Sequence, residues 1–345
     1  MRHLNRARGL GVLCALILGC GASDGGGGAT DATPPVADST PPSSDSAVAV
    51  PDAAAIAPDT AVVAPDAAVL APDAAPDAAV PSPDAAAAVP PGGDRPSRIF
   101  VPSAAPPAEG WPLILLLHGY RASGTLIDRQ FGLSRRVEPD GFVLLLPEGT
   151  LDGDGFQHWN ADLGGMPDDI GYLRSLLEET IARYPIDGHR VYVMGHSNGG
   201  YMTYRMACAA PDLITAIIPA SSRTVPPPEE CQPGPPLGLL HIQGDLDGDH
   251  PFEGTPEEPG VDTIVADWAA RNHCQTGPTD EPPIDAELTG PGAETIIRHY
   301  DQCDLGTTVG RWRMQGVVHA FIFSPEGSAR VVHDILAMHR DLPGP

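Results

Sequence analysis

The chain has 345 residues, with 45 acidic against 20 basic side chains and a formal net charge of −25 at pH 7. All 20 basic residues are arginine. That balance argues against nucleic acid or an anionic lipid surface as the partner, because like charge repels both.

In chain order, the N-terminus reads as an export signal. Arg2, Arg6 and Arg8 form a basic leader, and residues 10–18 are an apolar run too short to span a bilayer. The run ends in Ile17-Leu18-Gly19-Cys20, which resembles a bacterial lipobox. The resemblance implies cleavage before Cys20 and its lipidation. The competing reading is an ordinary secretory signal peptide, disfavoured because no A-x-A site precedes the glycine run. Residues 1–20 are therefore taken as a lipoprotein signal peptide.

Residues 21–95 are built almost wholly from Ala, Pro, Asp, Val, Gly, Ser and Thr. Asp recurs at positions 24, 31, 38, 45, 52, 59, 66 and 73. A seven-residue period suits a coiled coil only when the recurring residue is apolar, and proline breaks helices. The stretch has too little large apolar surface to bury and predicts a disordered, partly polyproline spacer. Residues 96–345 then form one domain, placed outside the cell or on the outer membrane. The lipid anchor would be its only contact with the membrane.

Within the domain, continuous apolar runs at 111–117, 141–147, 190–194, 213–219 and 237–242 suit strands buried on both faces. Helices are expected over 126–137, 169–183, 198–209, 261–272 and 328–340, with Asp168 and Asp169 as caps of the second. Strand and helix alternate, which predicts a doubly wound α/β fold with its ligands at the carboxyl ends of the strands.

The most informative segment spans 190–207. A β-branched strand runs into Gly195-His196-Ser197-Asn198-Gly199, and a helix follows. In a nucleophile elbow the serine is held in a strained turn and its hydroxyl projects above the sheet. The glycines let the backbones approach. Ser197 is the candidate nucleophile.

A serine nucleophile needs an imidazole base, and a carboxylate to fix that imidazole's tautomer. His319 follows the last strand candidate (307–314) and precedes the last helix, which is where the base belongs in chain order. His333 and His339 fall in the predicted last helix, His299 in a strand and His241 in a buried run. Asp245, Asp247 and Asp249 all follow the 237–242 strand, and spacing alone does not choose among them. They do not fit an EF-hand loop, so no metal is expected. The oxyanion donors would be the amide of Asn198 and one at Gly119 or Tyr120.

Cys208, Cys231, Cys274 and Cys303 make an even set in an exported chain. Pairing Cys208 with Cys231 and Cys274 with Cys303 closes two short local loops.

These pieces together resemble the secreted poly(3-hydroxybutyrate) depolymerase and feruloyl esterase group of α/β-hydrolases. The matches are Leu-Leu-Leu-His-Gly-Tyr at 115–120, Trp159-Asn160, Asp168-Asp-Ile-Gly-Tyr-Leu173, and Gly-His-Ser-Asn-Gly-Gly-Tyr-Met-Thr-Tyr-Arg-Met-Ala-Cys at 195–208. Downstream they are Gly244-Asp-Leu-Asp247 with Pro251-Phe-Glu-Gly254, 268–274 and Gly316-Val-Val-His319. The resemblance implies an α/β-hydrolase fold, selects Asp247, and makes all four domain cysteines disulfide partners; the oxyanion amides are taken as those near Tyr120 and Asn198. It implies cofactor-free hydrolysis of carboxylic esters, on hydroxyalkanoate oligomers or on feruloyl and acetyl groups of polysaccharide. His196 stands where the group often has methionine, and Phe321 where it often has tryptophan. His118, Trp159, His196 and Phe321 are candidate substrate contacts, with core packing the favoured alternative for Trp159 and Phe321. Rival readings are a serine peptidase of the same fold and a non-catalytic surface-binding lipoprotein.

Overall fold

The structure is a computed structural model that describes residues 90–161, 165–224, 234–290 and 292–341. The expected signal peptide with Cys20, the spacer up to residue 89, and Cys231 lie outside the described residues.

A nine-stranded sheet forms the centre. Its strands are β1 (Arg98–Phe100), β2 (Trp111–Leu117), β3 (Val143–Leu146), β6 (Ile186–His196), β7 (Ala216–Ala220), β8 (Gly238–Gly244), β9 (Thr276–Asp280), β10 (Thr295–Asp301) and β11 (Val309–Met314). The two remaining strands, β4 (Thr150–Leu151) and β5 (Gln157–His158), pair separately as a small hairpin. The sheet order is β1-β3-β2-β6-β7-β8-β11-β10-β9. The six from β3 to β11 run parallel; β1 pairs antiparallel with β3 at one edge, and at the other β10 pairs antiparallel with β11 and β9 antiparallel with β10.

The helices are α1 (Gly124–Phe131), α2 (Val137–Asp140), α3 (Asp169–Arg183), α4 (Asn198–Ala209), α5 (Val261–Arg271) and α6 (Pro325–Ala337). The apolar runs are continuous because each face of the sheet has its own helical layer. Leu113, Leu115, Val191 and Val193 pack on one side with Leu173 and Leu177 of α3, Met202 and Met206 of α4 and Ile264 of α5. Ile114, Leu116, Tyr192 and Met194 pack on the other with Ile127 and Phe131 of α1 and Val331 and Ile335 of α6. Apolar burial in both layers is the dominant stabilising term, roughly 25 cal/mol per Å². This is the α/β-hydrolase fold.

The predicted helix over 126–137 is broken. Gly132 at φ +70° caps α1 through its N–H on the Asp128 carbonyl, and α2 begins only at Val137. The last helix starts earlier than expected, on a Ser324 cap with Pro325 behind it, and stops at Ala337, so His339 lies past its end. Asp168 caps α3 as expected, accepting the Gly171 N–H, whereas Asp169 is buried and pairs with Arg95 at 2.6 Å. That pair joins Arg95, the last residue of the expected spacer, to the start of α3. The Gly92 N–H donates to Glu179, and the Arg95 guanidinium lies 3.9 Å from the Tyr172 ring centroid. Composition alone hid this, because Pro90 to Asp94 look like the spacer before them.

Cys274 and Cys303 are disulfide-bonded, tying the end of α5 to the turn after β10. Cys208 is also in a disulfide. Its expected partner, Cys231, is outside the described residues.

Candidate active site

Three loops at the carboxyl ends of β6, β8 and β11 converge. The first is the elbow. Ser197 has φ 53° and ψ −117°, a positive-φ conformation that a residue with a Cβ adopts only when its surroundings enforce it. The enforcement comes from the flanking glycines. A Cβ on Gly195 would lie 2.3 Å from the Gly199 carbonyl oxygen, and one on Gly199 would lie 2.5 Å from that of Leu117. Strand, turn and helix are thus pressed together at backbone distance. Gly199→Ala is expected to destabilise the domain by about 3 kcal/mol, read as a lower urea midpoint. An unchanged midpoint would mean that the elbow is looser than this packing.

The second and third loops bring His319 and Asp247 to that serine. His319 Nε2 lies 3.0 Å from Ser197 Oγ, and its Nδ1 lies 2.9 Å from Asp247 Oδ2 and 3.1 Å from Oδ1. The Asp247 side chain is fully buried. Its Oδ1 also accepts the backbone N–H groups of Asp249 and His250. Burial pushes this carboxyl up, but the bonds from His319 and the two amides outweigh it and hold it below the usual carboxylate range. Burial pulls the His319 imidazole down, and the bond and charge of Asp247, with the charge of Asp249, more than reverse that. The geometry lets the serine proton pass to Nε2 while the carboxylate balances the imidazolium.

The other two aspartates of the 245–249 cluster do different things. Asp245 accepts the Gly316 N–H at 2.7 Å and pairs with Arg313, fastening the two loops below the imidazole. Asp249 is largely exposed, with Oδ2 3.7 Å from His319 Nε2.

Among the described residues, neither the Tyr120 nor the Asn198 backbone N–H donates a bond within the chain. Asn198 begins α4, so the positive end of the helix dipole adds to its amide. The Asn198 side chain pins Trp159, accepting its N–H at 2.7 Å and donating to its carbonyl at 2.9 Å. Trp159 Nε1 in turn donates to the His118 carbonyl at 3.0 Å. The elbow and the turn after β2 are thereby held in register.

The expected substrate contacts are placed differently. His118, Trp159 and Phe321 are buried. His118 Nε2 accepts the Gly149 N–H, and Phe321 stacks on Phe131 with centroids 5.4 Å apart. Their rings complete the packing around the site. His196 is buried too, and burial lowers its pKa to about 4, so it is neutral at pH 7. Its Nε2 donates to the His319 carbonyl at 2.9 Å, and Ser221 Oγ donates to the same oxygen at 2.8 Å. Both fix the loop that carries His319. The side chains that do lie open around the mouth are Tyr120, 45% exposed, with Leu246 and Val318 on the flanking loops.

Sequence reading missed Ser221, His250 and Tyr201. His250 lies beside the imidazole, with ring centroids 5.4 Å apart, and its ring bonds to the Tyr201 hydroxyl at 2.8 Å. Tyr201 stands four residues after Ser197, one helical turn on, which was the available signal. Ser221 carried none, since its role depends on a partner 98 residues away.

No protein-family model matches the chain. Curated relatives do. NocK of Nocardia uniformis subsp. tsuyamanensis, a protein carried under an esterase name, is 32% identical over 191 residues, covering 52% of this chain and 56% of that protein. A bifunctional acetylxylan esterase/xylanase of Neocallimastix patriciarum is 24% identical over 232 residues, covering 66% of this chain and 31% of its own length. A poly(3-hydroxybutyrate) depolymerase of Ralstonia pickettii is 32% identical over 139 residues, covering 36% of this chain and 28% of its own length. The chain thus matches less than two-thirds of each.

Proposed function

We propose that this chain is a serine carboxylic-ester hydrolase working through an acyl-serine intermediate. The observation that carries the reading is the unbroken contact series Ser197–His319–Asp247, on an elbow whose strain the flanking glycines maintain. Ser197 Oγ attacks the ester carbonyl as His319 Nε2 takes its proton. The tetrahedral oxyanion is met by the amides of Tyr120 and Asn198. His319 returns the proton to the departing alcohol, and Asp247 keeps the imidazole's Nδ1–H turned inward throughout. Water then repeats the sequence on the acyl-serine. No step calls for a cofactor.

The relatives' names support ester bonds as the substrate class, in hydroxyalkanoate oligomers or in acetyl and feruloyl groups on polysaccharide. The Cys274–Cys303 disulfide favours an oxidising compartment. With the lipobox-like Cys20, it supports an exported and lipid-anchored protein, its domain on a spacer.

A fluorophosphonate probe should label the purified chain at Ser197, located by peptide mass mapping. p-Nitrophenyl acetate, methyl ferulate and hydroxybutyrate trimer should then rank the acyl classes by kcat/KM. No labelling would return the chain to the surface-binding reading. Labelling with peptide cleavage but no ester turnover would make it a peptidase.

A further inference from the structure

Two buried groups behind the site have no part in the steps above: the His241 imidazole on β8 and the Tyr204 hydroxyl on α4. They connect to the site in a line. Tyr204 Oη lies 2.8 Å from His241 Nδ1, and His241 Nε2 lies 3.3 Å from Gln243 Oε1. Gln243 Nε2 donates to Asp247 Oδ2 at 2.7 Å and to the His250 carbonyl, also at 2.7 Å. All four side chains are buried.

The direction of every bond can be deduced from the triad outward. Gln243 Nε2 faces a carboxylate and a carbonyl, which only accept, so it is the NH₂ end. Gln243 Oε1 faces the Ser222 N–H, which only donates. His241 Nε2 must therefore carry a proton to bond Oε1. Burial pulls the His241 pKa down to about 4, so the ring is neutral and Nδ1 is a bare acceptor. Tyr204, whose hydroxyl burial holds in the protonated form, is then the donor. From the other end, Ser197 donates to His319 and His319 to Asp247. Asp247 Oδ2 is the terminal acceptor of both chains.

We infer that Tyr204, His241 and Gln243 form a positioning relay that fixes the Asp247 carboxylate and sets how strongly it draws on His319. The inference rests on the ester-hydrolase reading of Ser197, His319 and Asp247. Tyr204 fixes the tautomer of His241, the tautomer fixes the amide of Gln243, and the amide supplies one donor to Oδ2. Removing that donor leaves more carboxylate charge for the imidazolium, which raises the His319 pKa. The base is active only when neutral, so the acid limb of kcat/KM moves to higher pH. His319 is faced by Asp247, Asp249 and His250 from the β8 loop and by His196 from β6. Arg223 and Tyr201 stand behind His250 and Asp247. All of these are unchanged in the variants below.

The test is the pH dependence of kcat/KM on p-nitrophenyl acetate for the full chain, with Gln243→Leu, Tyr204→Phe and the double variant. Urea midpoints accompany each profile. Gln243→Leu should lower kcat on the order of tenfold and raise the acid-limb pKa by about half a unit. Tyr204→Phe should move both in the same direction and by less. The double variant should match Gln243→Leu alone, because a relay already cut has nothing left to transmit. An acid limb unmoved in folded variants, or effects of Tyr204→Phe that add in full to Gln243→Leu, would overturn the relay. If Gln243→Leu does not fold, Tyr204→Phe decides by the same shift. Turnover surviving Ser197→Ala would overturn the hydrolase reading instead.

Discussion

Ser197→Ala should lower ester turnover by about 10⁶-fold while leaving the urea midpoint unchanged. The loss is large because His319 then has no hydroxyl to deprotonate, and the steps that depend on the imidazole fail with it. The fold should survive because the hydroxyl does not hold the elbow. Gly195 and Gly199 do, by allowing the backbones of β6 and α4 to close on the turn after β2. Alanine keeps the Cβ, so the backbone strain at residue 197 is the same in both proteins. Residual rate should reflect only the two amides and substrate binding, about 10³–10⁴ over water. The measurement is kcat on p-nitrophenyl acetate beside a urea titration. A variant within tenfold of the parent would remove Ser197 from the chemistry.

The parallel strands were legible because burial on both faces leaves a plain mark, a run without alternation, as at 111–117 and 237–242. The elbow was legible because its glycines answer to local geometry. Asp247 was chosen by resemblance, and its spacing gave no reason to prefer it over Asp245 or Asp249. The structure separates the three by burial and by what each accepts, which are properties of other loops. Strand β9 was invisible for the opposite reason from the core strands. Thr276-Gly-Pro-Thr-Asp280 is exposed throughout and held mainly by pairing with β10. The burial of His118, Trp159, His196 and Phe321 was not legible, because a residue that sequence places near the site points either into the mouth or under it. His196 ends β6 with its ring buried against the loop of His319, while Ser197, in the turn that follows, has its hydroxyl on the His319 imidazole. The features that position His319, from Ser221, His196 and Gln243, join strands far apart in the chain.

Asp247→Asn should lower kcat/KM by about 10⁴-fold, far more than its size suggests. Every group around the Asp247 carboxylate is a donor: the amides of Asp249 and His250 at Oδ1, and Gln243 Nε2 and His319 Nδ1 at Oδ2. An asparagine must place its NH₂ against one of these pairs. Turned toward Oδ1 it faces two backbone N–H groups that cannot reorient. Turned toward Oδ2 it faces His319, which can accept only by moving its proton to Nε2. In that tautomer Nε2 is no longer a base for Ser197. Part of the loss would also appear as stability, about 2 kcal/mol for the unpaired buried donors. Asp245→Asn and Asp249→Asn are the controls. Asp245 lies under the loop and Asp249 lies in solvent, so each should cost less than tenfold in kcat/KM on the same ester. If Asp249→Asn falls as far as Asp247→Asn, the exposed carboxylate beside Nε2 is the working partner. The buried one would then be left with a structural part only.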